Sequence, residues 1–427
     1  MSSQASPAPA GELSRASPVA VSSAQALSQP ALPKLPLPKG PVFGWAALRH
    51  RPAPTLPSVE DLPQLRFTTS GRAAIHQALQ LLKLPAGSAV LLPTYHCPTM
   101  VAPVLMLGLQ PTYFGIDSEG LPELASITAA QATEARAMLV SHYFGLPRSL
   151  AAVRAWCDER GIALIEDCAH SYFGQAGERA IGHWGDYATA SVSKFFPVPE
   201  AGVLASATRQ LPASTLQPQS FKAQLKAWVD VLEIGTRHRR LAGLQALLAP
   251  LFRLKSGPVS TRVAPAPAAD TSADELMQGC DMGRISAKPL ALSLLLREHL
   301  PQDRIIALRQ RNFALYEQWL GEHNAMPGLG KNGIADCAPY VYPFWVEDAD
   351  RIYHALREQG LPVFRWDRLW PGTPELPQDQ GRRWSRHLLQ LLCHQDLGSD
   401  DVQHTARQLL SLLPQRQHPS QQEVSPT

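Results

Sequence analysis

The sequence predicts an α/β protein: a large domain on a mostly parallel sheet, followed by a smaller C-terminal α+β domain. Three observations carry this. Between residues 67 and 167, apolar strand-like runs alternate with segments of helical spacing, the pattern of βαβ units. Beyond residue 283, two helical stretches give way to an alternating strand, a helix and a further strand. At 427 residues and 45% hydrophobic, the chain is long and apolar enough for a large core.

The elements follow in order. Phe67–Leu79 (FTTSGRAAIHQAL) is a small-residue turn at Ser70-Gly71-Arg72 opening a helix, with Ala74, Ile75, Ala78 and Leu79 on one face. Ser70 is its natural cap. The free N–H groups and positive dipole end of such a turn suit a phosphate. Ala89–Asp117 reads strand, loop, helix, strand, with Tyr95-His96-Cys97 in the loop. Strand C-termini are where open α/β sheets bind ligands. Met138–Leu150 is another strand and loop, followed by an amphipathic helix to Arg160. The strand after Gly161 ends at Asp167. A loop through Gly182–Asp186 then leads to ATASVSK, ending at Lys194.

The remaining divisions are compositional. Residues 1–63 are rich in Pro, Ser and Ala, with few acids, and are expected to form a disordered arm, with PVFGWAAL (residues 41–48) as a patch that could dock. Residues 64–210 form the large domain, 211–282 a helical connector or insertion, 283–414 the small domain, and 415–427 a disordered tail.

Composition excludes several function classes. A net charge of +3 gives no electrostatic case for nucleic acid or an anionic membrane. The six cysteines are scattered, with no C-x-x-C pair, so neither a zinc site nor a disulfide framework is expected, and no metal. No apolar run approaches the roughly 18 residues that span a bilayer. The expected location is the cytoplasm.

The chemistry rests on two residues. An acid at the end of a buried strand, then a lysine on a Ser-rich segment, is what a pyridoxal 5'-phosphate (PLP) enzyme requires. Lys194 would carry the cofactor as a Schiff base, and Asp167 would keep the pyridine nitrogen protonated so that the ring accepts electrons.

Five segments in one order make the chain resemble the DegT/DnrJ/EryC1/StrS sugar aminotransferases, within the fold-type-I PLP enzymes. They are SGRAAIHQAL, LLPTYHCPTMVAPVLMLGLQPTYFGID, IEDCAHSYFG, GDYATASVSKFFPVPEAGVLAS and SRHLLQLLCHQDLGSDDVQHTARQL, and the likeness spans roughly Phe67 to Leu413. The resemblance implies catalytic roles for Lys194, as Schiff-base residue and general base, for Asp167, and for His170 beside the ring hydroxyl. It implies that Gly71 and Arg72 hold the phosphate through backbone groups, with a hydroxyl from Ser191 or Ser193. Glu200 matches an acid near the sugar site. Arg284 matches a segment that reaches the phosphate of a partner subunit, which implies a homodimer.

The sequence departs from the family in places. Cys97 stands where an aromatic normally stacks on the ring, so Tyr95 or His96 is expected to take that place. Met282 stands where the family has Asn. The implied function is transfer of an amino group, with glutamate the expected donor, to a nucleotide-linked keto-sugar in amino-sugar or polysaccharide biosynthesis. The alternatives are a PLP-dependent sugar dehydratase or lyase, whose family members replace the lysine that is Lys194 here, and a catalytically silent regulatory protein of the same fold.

Overall fold

Seven strands form the central sheet. They are β1 (Gln64–Thr68), β2 (Ala89–Pro93), β3 (Gln110–Phe114), β4 (Ala135–Ser141), β5 (Ala163–Asp167) and, after a hairpin of β6 (Gln175–Ala176) and β7 (Arg179–Ala180), β8 (Tyr187–Ser191) and β9 (Gly202–Ser206). Their order is β1-β9-β8-β5-β4-β2-β3. Only β9 opposes the common direction; it is antiparallel to both β1 and β8. β2, β8 and β9 are buried along their whole length, as strands covered on both faces must be, which is why they read as unbroken apolar or small-residue runs. This computed structural model describes residues 37–256, 271–326 and 333–414; the expected tail and residues 1–36 of the expected arm lie outside the described residues.

Helices cover the sheet. α1 (Gly71–Leu81) follows β1, α2 (Pro98–Met106) joins β2 to β3, α3 (Ala129–Glu134) precedes β4, and α4 (Ala151–Arg160) joins β4 to β5. Their ends are set locally. The Ser70 hydroxyl accepts from the Ala73 N–H, Thr128 and Gln131 form a capping box, and Gly161, at φ 64°, stops α4. Between residues 211 and 282, the described residues form α5 (Phe221–Arg237), α6 (Gln245–Ser256) and α7 (Ala273–Gly279).

The C-terminal lobe begins with α8 (Ala291–His299) and α9 (Gln302–Leu320). It holds an antiparallel sheet of β10 (Val341–Trp345), β11 (Val363–Phe364) and β12 (Leu388–Leu392), in the order β10-β12-β11, and the helices α10 (Ala349–Glu358), α11 (Gly381–His387) and α12 (Ser399–Leu412). One hydrophobic core runs through both lobes. It joins Leu91 and Val140 of the large sheet to Phe313 and Leu389 of the small one. The C-terminal lobe is therefore packed over the large sheet. Among the described residues, no helix is long and apolar enough to cross a membrane.

The expected boundary of the arm at residue 63 does not hold. Residues 37–63 pack onto the rest. Val42 and Ala47 are buried, the Val42 N–H donates to Asp396 Oδ2 at 3.0 Å, and His394 Nε2 lies 2.9 Å from the Pro38 carbonyl. Trp45 bonds the Ala242 carbonyl through its indole N–H. Low-complexity composition hid these contacts because each partner lies some 200 to 350 residues away.

Candidate active site

Asp167 ends β5 at the C-terminal edge of the sheet, and its carboxylate is held from two sides. The Ala169 N–H donates to Oδ1 at 3.0 Å and the Ser141 hydroxyl, at the end of β4, donates to Oδ2 at 3.2 Å. Burial raises its pKa above the ordinary carboxylate value, against the pull of Lys194, these hydrogen bonds and His142. A carboxylate in this state favours a cationic hydrogen-bond partner in the cavity it faces.

The preceding residue clamps it. Glu166 is fully buried, yet its carboxylate accepts from the N–H groups of Gly182, Trp184 and Gly185 at 2.8–3.1 Å and pairs with His142 Nε2 at 2.9 Å. Those bonds outweigh desolvation and lower its pKa. Cys168 brings a third metal-capable atom near His142 and Glu166, but both Glu166 oxygens are already occupied by N–H donors, so the cluster is a hydrogen-bonded clamp.

Lys194 sits on a single 3-10 turn after β8. The C-terminal lobe fixes its backbone: fully buried Arg309 of α9 donates to the Lys194 carbonyl at 2.5 Å, and Gln395 donates to the Phe195 carbonyl at 2.6 Å. The Lys194 ammonium lies 5.3 Å from the Tyr340 ring centre. Burial lowers its pKa below the ordinary lysine value, opposed by Cys97 and Asp167. Lys194 and Asp167 line the same cavity of about 440 Å³, a size suited to a cofactor or small substrate.

Ser70, Gly71 and Arg72 line the cavity at the N-terminus of α1. The Ala73 and Ala74 N–H groups are used by Ser70 itself, whereas the Gly71 and Arg72 N–H groups have no partner among the described residues. That leaves two donors at a positive helix end, an anion site. Gly202 of β9 permits it. A Cβ there would lie 2.2 Å from the Ser70 carbonyl carbon, so only glycine lets β9 pass beneath the turn. Ser191 and Ser193, the two candidates for the phosphate hydroxyl, lie side by side. Their hydroxyls are 3.4 Å apart and both line the cavity.

The Tyr95-His96-Cys97 loop differs from expectation. Only Cys97 lines the cavity. Tyr95 is fully buried, its ring 5.4 Å from Trp384 edge-on and its hydroxyl accepting from Gln390 at 3.1 Å. His96 is fully buried on the other side. Its Nδ1 bonds the Pro93 carbonyl at 2.9 Å, its Nε2 accepts from the Trp370 N–H at 3.0 Å, and its ring stacks on Tyr113. Neither ring is free to cover a bound cofactor, because the chain leaving β2 turns both into the packing between the lobes.

His170 lines the cavity, its ring 4.4 Å from Tyr340 and 4.8 Å from Trp366. Burial, reinforced by Lys194, holds its pKa well below the ordinary histidine value, so the ring is neutral. Arg284 does not line the cavity. It pairs with Asp281 at 3.2 Å and with Glu200. Glu200 also accepts from the Leu290 N–H at 3.0 Å, so it ties the residues around 284–290 to the large domain instead of lining the cavity.

Sequence reasoning missed the far wall. Tyr340, Phe364, Arg365, Trp366, Asp367, Arg368 and Gln390 line the cavity from the C-terminal lobe. Gly145 seats Tyr340: at φ 82°, its added Cβ would lie 2.2 Å from the Tyr340 nitrogen. The one sequence signal was the interleaving of Arg with aromatics in Phe364–Arg368, directly after the β11 run.

Residues 67–249 match the model of the DegT/DnrJ/EryC1/StrS aminotransferase family. A dTDP-4-dehydro-2,3,6-trideoxy-D-glucose 4-aminotransferase from Saccharopolyspora spinosa is 33% identical over 132 residues, covering 31% of this chain and 34% of that protein. The chain spans about a third to a half of the length of the curated relatives it matches. Among solved structures, a DegT DnrJ EryC1 StrS aminotransferase from Brucella abortus superposes with TM-score 0.55 at 16% identity, covering 82% of this chain and 86% of that one. An E. coli GDP-4-keto-6-deoxy-D-mannose-3-dehydratase with bound hydrated PLP superposes with TM-score 0.54 at 15% identity, covering 82% and 88%. Those two likenesses show the fold; the family model adds the segment that holds Asp167 and Lys194. Over residues 67–249, the chain is similar to the DegT/DnrJ/EryC1/StrS aminotransferase family.

Proposed function

We propose that this protein is a PLP-dependent aminotransferase that moves an amino group from an amino acid, glutamate in the first instance, to a nucleotide-linked keto-sugar. The observation that carries the reading is the placement of Asp167 and Lys194 on one cavity with the unpartnered N–H pair of Gly71 and Arg72. The residues fit the cofactor. A phosphate would be held by those N–H groups and the Ser191 and Ser193 hydroxyls, a pyridine nitrogen by Asp167, and a carbonyl by Lys194. When bound, PLP supplies an electron sink for the carbon that loses or gains the amino group.

The chain supplies the rest. Asp167, made a stronger base by burial, would hold a proton on a pyridine nitrogen placed beside it. Lys194 Nζ, with its pKa lowered, has more of the neutral amine needed both to attack a carbonyl and to take a proton from the donor Cα. Neutral His170 offers a hydrogen bond without adding charge. Tyr340 and Trp366 wall the cavity, where they would limit the access of water to a bound substrate.

We further propose a cytoplasmic homodimer, in which the face around Arg284 meets the second copy. Sedimentation of the loaded protein tests the dimer, and a fully active monomer would overturn it. The central experiment is titration with PLP. We expect a Lys194-dependent absorbance band that bleaches when an amino donor is added. A band that never bleaches with any amino acid would favour a silent regulatory protein instead.

A further inference from the structure

The residues from Phe364 to Trp370 cross the cavity as a strap from the C-terminal lobe, and the strap is pinned at two points. Arg365 is buried and held by both terminal nitrogens, pairing with Asp350 and donating to the Ser385 and Arg386 carbonyls at 3.2 and 2.8 Å. Trp370 is held by its N–H on His96 Nε2. Between them, Trp366 is wedged between Tyr95 and His170, at 5.2 and 4.8 Å. The backbone that carries residue 368 is therefore fixed before any ligand arrives.

Three arginines line the cavity, and two are committed. Arg365 has the partners above. Arg72 donates to the Asp281 carbonyl and carboxylate, both at 3.2 Å. Arg368 forms no hydrogen bond or ion pair among the described residues, although it lines the cavity and is only partly exposed. The acids lining the cavity are Asp167, which the Lys194 side already engages, and Asp367, which neighbours Arg368 in the chain. A guanidinium kept without a carboxylate partner on a pinned segment has five donors available for a planar or tetrahedral anion.

We propose that Arg368 is the binding residue for the anionic group of the second substrate, a phosphoryl or carboxylate group, held at the cavity beyond the cofactor. This deepens the reading of the site as an aminotransferase and rests on it. The anion has two possible sources: the diphosphate of a nucleotide-linked sugar and a carboxylate of the amino donor. Arg368 is suited to either because a rigid fork matches both geometries, which a lysine ammonium does not.

The test uses the PLP-loaded full chain and two probes, inorganic pyrophosphate and glutarate, titrated calorimetrically into wild type, Arg368→Ala and Arg368→Lys. We expect one probe to bind about tenfold or more weakly to Arg368→Ala, with Arg368→Lys intermediate, because a hydrogen bond to a charged group is worth about 1.5–3 kcal/mol. Weakening for pyrophosphate assigns the diphosphate, and weakening for glutarate assigns the donor carboxylate. The PLP dissociation constant, read from the Lys194-dependent band, should stay unchanged in both variants. Wild-type affinity of Arg368→Ala for both probes overturns the proposal, as does a loss confined to PLP itself, which would place Arg368 on the cofactor phosphate. A wild-type chain that forms no Lys194-dependent band overturns the aminotransferase reading instead, so the two failures are distinct.

Discussion

Replacing His96 by phenylalanine separates two contributions that the buried imidazole makes to the site. His96 links the loop that ends in Cys97 to the strap that carries Arg368, and it does so only as a neutral ring: Nδ1 donates to Pro93 and Nε2 accepts from Trp370. A second ring proton would face the Trp370 N–H. Burial accordingly lowers the His96 pKa from 6.5 to about 4. The sign follows from that direction. Above pH 6.5 neither the folded nor the unfolded chain protonates this ring, and it adds no pH dependence. Below 6.5 the unfolded chain takes up a proton that the folded chain resists, so stability falls as pH falls, by about 1.4 kcal/mol per unit until about pH 4. Between pH 7 and pH 5 this histidine alone should cost the wild type about 2 kcal/mol. His394, lowered to about 4 by burial, adds a similar slope that both proteins share.

At pH 7 the phenylalanine variant loses two hydrogen bonds and leaves a buried carbonyl and a buried N–H unpartnered, a cost of about 2–6 kcal/mol. Its stability relative to wild type should then recover by about 2 kcal/mol at pH 5, because the titrating ring is gone. Urea unfolding of both proteins at the two pH values measures this. A stability gap that is the same at pH 7 and pH 5 would refute the reasoning, since it would mean that the His96 ring is protonated as easily folded as unfolded.

Lys194→Ala should remove the absorbance band of lysine-bound PLP while leaving the far-ultraviolet circular dichroism unchanged; a retained band with full turnover would move the attachment to another lysine. Asp167→Asn should keep PLP bound but lower turnover by orders of magnitude, because an amide cannot hold a proton on the pyridine nitrogen; near-normal steady-state rates would mean that another acid does this work. A chain beginning at residue 52 should be less stable than one beginning at residue 37 by about 3 kcal/mol or more, from exposure of the surface covered by Val42 and Ala47 and from the unpartnered Asp396 oxygen. Equal melting temperatures for the two would show that residues 37–51 lie on the surface without supporting it.

Much of the large domain was legible because its signals are local. An apolar strand that ends in Asp167, a Ser-Gly-Arg turn that opens a helix, and a lysine after a small-residue strand are each decided within a dozen residues. Parallel strands then bring their C-terminal ends to one edge whatever the details of packing. The helical insertion and the closing strand and helix were legible for the same reason. Which way a side chain points at the end of a strand is not local. Tyr95, His96 and Cys97 are consecutive, yet the packing of Trp384 and Trp370 against the first two leaves only the third in the cavity.

By itself, the sequence determined the fold class and the order of the elements, and it singled out Asp167, Lys194 and the Ser70-Gly71-Arg72 turn, which share one cavity. Tertiary structure decided that Arg284 and Glu200 neutralise each other instead of lining the cavity, that residues 37–63 belong to the folded body, and that Tyr340, Trp366 and Arg368 complete the site. Each of those outcomes depends on contacts between residues far apart in the chain. Hydrophobic spacing reports which face of an element is buried, but it does not report which distant element buries it.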